Sequence, residues 1–181
     1  MALTEKQEVL VKESWEILQQ NVPEYSIRFY QRIMEVAPEA KNLFSFLRDS
    51  DEIPRTTPTS KLTPRRSSSC LHLFFPFLGD FTYTVSSLCL TQTCESVIQL
   101  RERGAVTIED STMKHLGSLH LKIGVTDRHF DVVRDALLRT IEGAVGEKWS
   151  KEMEGAWGTG YDQLAAAIQA AMKDGAAATA N

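Results

Sequence analysis

Two histidines in the stretch MKHLGSLHLKIGV are the first candidates for chemistry in this chain. His115 and His120 are five positions apart, so on a helix they point in different directions. On a helix that begins near Asp110, His120 shares a face with three apolar residues: Met113, Leu116 and Ile123. The spacing therefore predicts that His120 lies in an apolar stripe and that His115 lies nearer solvent.

An imidazole in an apolar stripe fits two roles. It is either a hydrogen-bonded core histidine or a metal ligand that uses one ring nitrogen. A ligand role requires the other nitrogen to donate to a backbone carbonyl or to a hydroxyl such as that of Ser118. Spacing alone favours the core role, because a single histidine is a weak indication of a metal site.

Other site chemistry has less support in the sequence. Only four histidines are present, and they form no HxxxH or HExxH pair: His72, His115, His120 and His129. No CxxC pair, GxSxG turn or glycine-rich phosphate loop accompanies them, so a zinc site and nucleophilic catalysis are disfavoured. A single histidine as the one plausible metal ligand points to haem, which brings its own coordination sphere.

The elements that carry these residues are predicted to be helices. TEKQ, from Thr4 to Gln7, is a capping box, and Pro23 and Pro38 suit the first turns of a second and a third element. Asp110, Asp127 and Ser150 are candidate caps in the second half of the chain. Apolar residues recur at helical spacing in its last two helices: Phe130, Val133, Leu137, Ile141 and Val145, then Met153, Trp157, Tyr161, Leu164 and Ile168. These patterns predict an all-α fold of six or more helices.

Composition describes one soluble domain over residues 1–181, with 43% hydrophobic and 24% charged residues. The net charge of -4 offers no basic surface for nucleic acid. The amino terminus lacks a secretory signal, so a cytosolic location is expected, with the nucleus as a second candidate. The three cysteines are predicted to be free thiols in that reducing compartment: Cys70, Cys89 and Cys94.

The segment 59–91 differs in composition from the rest of the chain. Pro64 and Pro76 disfavour a regular helix, and Asp80 disfavours a membrane span through its apolar part. We therefore predict an irregular insertion at 59–91. A disordered tail is predicted at 174–181, and the glycines at 158 and 160 are predicted to soften the last helix.

Several long blocks resemble the plant haemoglobins, the family of phytoglobins and leghaemoglobins. The blocks are LTEKQEVLVKESWEIL, APEAKNLFSFLRDSDEIP, TCESVIQLRERG, LGSLHLKIGV and HFDVVRDALLRTIEGAVGEKWSKEMEGAW. They stand in the family's order and cover about residues 3–58 and 92–173. The resemblance implies a globin fold with bound haem b.

Individual positions can be matched to that family. His120 resembles the proximal histidine that binds haem iron, Phe44 the phenylalanine on the porphyrin face, and Tyr30 an aromatic residue on the distal side. Four further residues match positions near the haem edge: Ser45, Lys61, His115 and Leu119. Phe44 also fits plain core packing, and Ser45 also fits a helix cap. EVAPEA, from Glu35 to Ala40, resembles a segment that family members use in homodimer contacts.

The chain departs from the family in its distal helix. Family members carry a distal histidine soon after the proline that matches Pro58, whereas this chain has Thr63 or Arg65 there, depending on the alignment. His72 is the one remaining histidine that might replace it, and we treat it as a weak candidate. The abrupt edges of 59–91 suggest translated intron sequence, a hypothesis that sequencing the transcript would test.

The resemblance implies a globin that reversibly binds O2, NO and CO at iron held by His120. Two alternatives remain. One is a haem redox enzyme that reduces nitrite or oxidises NO, and the other is a mis-spliced product that cannot hold haem.

Overall fold

Six α-helices and two short 3-10 helices make up most of the described residues. The computed structural model describes residues 3–44, 92–99, 102–103, 106, 108 and 110–179. In chain order the elements are α1 (Glu5–Gln19), α2 (Val22–Val36), a 3-10 helix (Pro38–Leu43), α3 (92–99), α4 (Asp110–Ile123), α5 (Asp127–Val145), a second 3-10 helix (Gly146–Lys148) and α6 (Lys151–Thr179). The predicted all-α fold is confirmed. Among these helices, none combines the length and the apolar character needed to cross a bilayer.

The start of α1 follows the predicted capping box. The Thr4 N–H donates to Gln7 Oε1 at 2.9 Å, and the Gln7 N–H donates to Thr4 Oγ1 at 3.2 Å. Ser150 caps α6 as predicted, because its hydroxyl accepts the Met153 N–H at 3.2 Å.

The predicted cap of α5 was wrong by one residue. Thr126 is the N-cap and Asp127 is the first helical residue. The Thr126 N–H donates to His129 Nδ1 at 2.9 Å, so His129 completes the box from the third helical position. Threonine and aspartate are both good caps, and this contact with His129 decides between them.

Helices α5 and α6 form the centre of the core. All five stripe residues predicted for α6 are buried, as are four of the five predicted for α5, with Val133 partly buried. Trp157 is fully buried, and its Nε1–H donates to Ser14 Oγ at 2.9 Å, which joins α6 to α1. The Ser14 hydroxyl donates in turn to the Val11 carbonyl at 2.9 Å, so this buried polar pair is satisfied.

The two glycines predicted to soften α6 have different surroundings. A Cβ at Gly160 would lie 2.2 Å from Val97 Cγ2 and 3.2 Å from the Thr93 carbonyl oxygen, so glycine lets α3 approach α6 closely. A Cβ at Gly158 would lie 2.6 Å from Arg134 Nη2. At Gly160 the loss of helix propensity is therefore the cost of a close contact between two helices, whereas at Gly158 the contact is only with the flexible end of the Arg134 side chain.

The last helix runs further than predicted. It continues to Thr179, so the predicted disordered tail is wrong for residues 174–179, and residues 180–181 lie outside the described part. Alanine is the best helix former, and residues 176–178 are all alanine. The predicted insertion at 59–91 also lies outside the described residues.

Candidate functional site

His120 has the orientation that a metal ligand needs. It is half-buried in the last turn of α4, and its Nδ1 lies 2.8 Å from the Leu116 carbonyl oxygen. Because a carbonyl only accepts, Nδ1 carries a proton, and Nε2 is the ring nitrogen that could bind a metal. Ser118 was named as a possible acceptor, but it is exposed and the backbone of the preceding turn takes that role.

A second contact fixes the plane of the His120 ring. The Phe130 ring stacks on it with centroids 5.9 Å apart and an interplanar angle of 15°. Phe130 is buried near the start of α5, and its backbone carbonyl accepts a hydrogen bond from the Tyr161 hydroxyl at 3.0 Å. Helices α5 and α6 therefore both support the ring.

Helix α4 ends three residues after the histidine. Gly124 has a φ of 81°, a left-handed conformation that glycine adopts without strain, and it closes the helix as predicted. The Val125 N–H donates to the His120 carbonyl at 3.0 Å. This cap ties the turn that carries the histidine to the connection with α5.

Two of the aromatic residues predicted for the site lie against each other. Tyr30 on α2 is fully buried, and Phe44 follows the first 3-10 helix and is partly buried. Their ring centroids are 5.1 Å apart with an interplanar angle of 81°, an edge-to-face pair, and Phe29 adds a second such contact to Tyr30 at 5.6 Å. Tyr30 and Phe130 belong to one hydrophobic core, with Phe44 packed against it.

The remaining predicted residues divide into two groups. His115 and Leu119 are exposed on α4, as spacing predicted for His115, and Leu119 is 44% exposed. Ser45, Lys61 and His72 lie outside the described residues.

The predicted apolar stripe of α4 is only partly buried. Met113 and Leu116 are half-buried with His120, but Ile123 is 38% exposed. The one buried residue of α4 is Gly117, which sequence reasoning passed over. Phe130 was predicted as core, and its contact with the histidine was also missed, because periodicity identifies a face but not the neighbour that covers it.

These residues fit haem better than a metal held by the protein alone. Within the described ranges, no group of three or more His, Cys, Asp or Glu side chains could hold an ion. One imidazole that bonds through Nδ1 and leaves Nε2 for a metal, in an apolar setting and beside an aromatic ring, suits an iron that a porphyrin already coordinates. The site is therefore compatible with haem at His120.

Comparisons with known proteins agree with this geometry. The globin family model matches residues 85–168, a range that includes α4 and His120. An anaerobic nitrite reductase of Gossypium hirsutum is 51% identical over 175 residues, which cover 96% of each chain. One from Arabidopsis thaliana is 49% identical over 173 residues, again 96% of each chain.

Solved structures show the same fold at low identity. A bacterial globin from Campylobacter jejuni has a TM-score of 0.62 at 16% identity and covers 94% of this chain and 97% of its own. An engineered carbene transferase, from a putative nitric oxide dioxygenase of Rhodothermus marinus, has a TM-score of 0.65 at 18% identity and covers 99% of both chains. Together with the relatives from plants, these matches show that the chain belongs to the globin family, in its plant haemoglobin branch.

Proposed function

We propose that this globin binds haem, of the b type, through Nε2 of His120, and that the bound haem would take up O2, NO and CO at its iron. The observation that carries the proposal is the hydrogen bond from His120 Nδ1 to the Leu116 carbonyl. It fixes the tautomer whose other nitrogen can bind iron, and it raises the basicity of that nitrogen.

The chain's own side chains supply orientation and exclude water. When bound, haem supplies an iron that accepts diatomic gases and that gives an electron to nitrite in its ferrous state. The Phe130 ring stacks on the His120 ring at an interplanar angle of 15° and holds the imidazole plane. The Tyr161 hydroxyl donates to the Phe130 carbonyl and holds the backbone of Phe130 in place. Phe44 offers an apolar surface for the porphyrin and keeps water from the site.

Tyr30 is the described residue that we assign to the gas-binding side. Its full burial and its contact with Phe44 support that assignment, and its hydroxyl is a polar donor in a dry environment. Ser45, Lys61 and the weak distal candidate His72 stay predictions. Without a distal histidine, the sequence predicts a high-spin ferric spectrum, and a six-coordinate bis-histidyl spectrum would contradict this and favour His72.

The test of haem binding compares two histidines on one helix. We expect His120→Ala to lower haem retention at least about a hundredfold, measured by titrating apoprotein with haem and following the Soret band. His115→Ala is the matched control, because His115 is exposed on the same helix and should leave the titration unchanged. Equal titrations of wild type and His120→Ala would overturn the proposal.

Nitrite reduction is the second candidate function. The plant relatives are named anaerobic nitrite reductases, and that similarity supports the same activity here. We expect nitrite-dependent NO release from the ferrous protein under anaerobic conditions, and loss of this activity in His120→Ala. Haem binding without NO release would leave gas binding as the function.

The cytosolic location stays a prediction. We also propose a homodimer through the segment from Glu35 to Ala40. Val36 is 49% exposed at the end of α2, while Ala37 and Ala40 are buried and hold the segment to the core. Val36→Glu should convert a dimer into a monomer in sedimentation velocity. A wild-type protein that sediments as a monomer at high concentration would overturn this proposal.

A further inference from the structure

We infer that Gly117 is a positioning residue for the proximal histidine, and this inference rests on the proposed function. Gly117 lies three residues before His120 and directly after Leu116, the residue whose carbonyl orients the ring. It is the only buried residue of α4, and the surface that it buries belongs to α6.

The contact at Gly117 is with the backbone and the Cβ of Ala171. A Cβ at this position would lie 2.7 Å from the carbonyl carbon of Ala171, 2.7 Å from its Cβ and 2.9 Å from its carbonyl oxygen. Two of these three atoms are backbone atoms in the middle of a long helix, so they cannot rotate aside as a flexible side chain would. Glycine therefore sets the distance between α4 and α6.

That distance determines where His120 stands relative to its other support. His120 moves with α4, because its Nδ1 is hydrogen-bonded to the Leu116 carbonyl of that helix. Phe130 belongs to α5 and does not move with α4. A methyl group at Gly117 would push α4 from α6 by on the order of 1 Å, the shift needed to reach ordinary van der Waals contact. The ring would then shift against Phe130 and against any bound porphyrin.

A second glycine on the same contact supplies a matched control. A Cβ at Gly175 would meet Leu121 Cδ2 at 3.9 Å, an ordinary contact that needs no movement. Gly175→Ala thus adds the same methyl group between the same two helices without changing their separation.

The experiment measures the iron–histidine bond rather than activity. We expect Gly117→Ala to shift the iron–histidine stretching band in the resonance Raman spectrum, recorded immediately after photolysis of CO. We also expect it to speed haem loss to a scavenging apoglobin about ten- to a hundredfold. Gly175→Ala should match wild type in both measurements. Urea unfolding of the apoproteins separates a change in overall stability from a change at the histidine.

Two results would overturn the inference. The first is a haem-bound Gly117→Ala variant with the wild-type band and the wild-type rate of haem loss. If Gly117→Ala does not fold, the test uses Ala171→Gly instead. Removal of the Ala171 Cβ lets α4 move toward α6 and should shift the iron–histidine band in the opposite direction. An unchanged band in Ala171→Gly is the second result that would overturn the inference. A wild-type protein with no iron–histidine band at all would instead mean that the proposed function has failed.

Discussion

The two sides of the proposed haem cleft are built from different parts of the chain. The proximal side uses residues that are close together in sequence. His120 is hydrogen-bonded to the Leu116 carbonyl within α4, and its ring stacks on Phe130 at the start of α5. On the gas-binding side we assign Tyr30, which contacts Phe44, and both residues come from the first quarter of the chain. The weak distal candidate His72 and the predicted haem-edge residue Lys61 fall in the 45–91 stretch, beyond the described residues.

This difference implies that holding the cofactor and tuning its ligands are separable properties. The described contacts that orient His120 come from α4, α5 and α6, whereas Tyr30, which we assign to the gas, lies on α2. Changes on the proximal side should therefore act on haem retention, and changes on the distal side should act on gas kinetics. Each prediction below either breaks this division or refines it.

The largest expected effect comes from a pair of buried phenylalanines. Phe130→Ala and Phe29→Ala each remove a buried ring, so we expect each to lower the free energy of unfolding of the apoprotein by about 3–5 kcal/mol. Only Phe130 touches His120, so only Phe130→Ala should also shift the iron–histidine band. Phe130→Leu, which keeps most of the volume, separates the loss of stacking from the loss of packing. Equal band shifts in the Phe29 and Phe130 variants would break the division.

The next prediction concerns α6, which supports the proximal side and also packs on α3. Gly160→Ala should destabilise the protein by about 1–3 kcal/mol in urea unfolding, because its Cβ overlaps the fully buried Val97 and the backbone of α3. Gly155→Ala is the control on the same helix, since its Cβ meets nothing within 4 Å. It should stabilise the helix by up to about 1 kcal/mol. A stabilising Gly160→Ala would contradict the close approach of α3 and α6.

A smaller effect is expected from the thiol on α3. Cys94 is a free, buried cysteine, as predicted, and burial raises the pKa of its thiol from 9.0 to about 12. Above pH 9 the thiol loses its proton in the unfolded state but keeps it in the folded state. A rise in pH therefore stabilises the unfolded state relative to the folded state. We expect stability to fall by about 1.4 kcal/mol per pH unit above about pH 9.

Cys94→Ala should lack this part of the pH dependence. The measurement is urea unfolding of both proteins at about pH 8 and about pH 10, because the difference between them isolates one group. Parallel pH profiles would mean that the thiol is solvated and that α3 packs more loosely than α4 to α6.

Sequence reasoning predicted the parts of this molecule that depend on local patterns. Amphipathic spacing gave the buried faces of α5 and α6, and the position of His120 in a stripe followed from the same rule. The Gly117 contact and the Phe130 stack could not be predicted, because spacing does not say which helices meet or how closely. The error at the tail had a different cause: small residues were treated as unable to bury surface, whereas alanine forms helix without needing to.

The smallest expected effect tests the distal side through one hydroxyl. Tyr30→Phe keeps the edge-to-face contact with Phe44 and removes a donor that we assign to the bound gas. One hydrogen bond contributes about 0.5–1.5 kcal/mol, so O2 should dissociate about two- to tenfold faster in stopped-flow measurements, with the iron–histidine band unchanged. Tyr25→Phe is the matched control on the same helix, because the Tyr25 ring lies 5.8 Å from the Arg28 guanidinium and is only half-buried. If Tyr30→Phe left the rate of O2 dissociation unchanged, the Tyr30 hydroxyl would not be the donor for the gas, and the assignment of Tyr30 to the gas-binding side would rest on its packing against Phe44 alone.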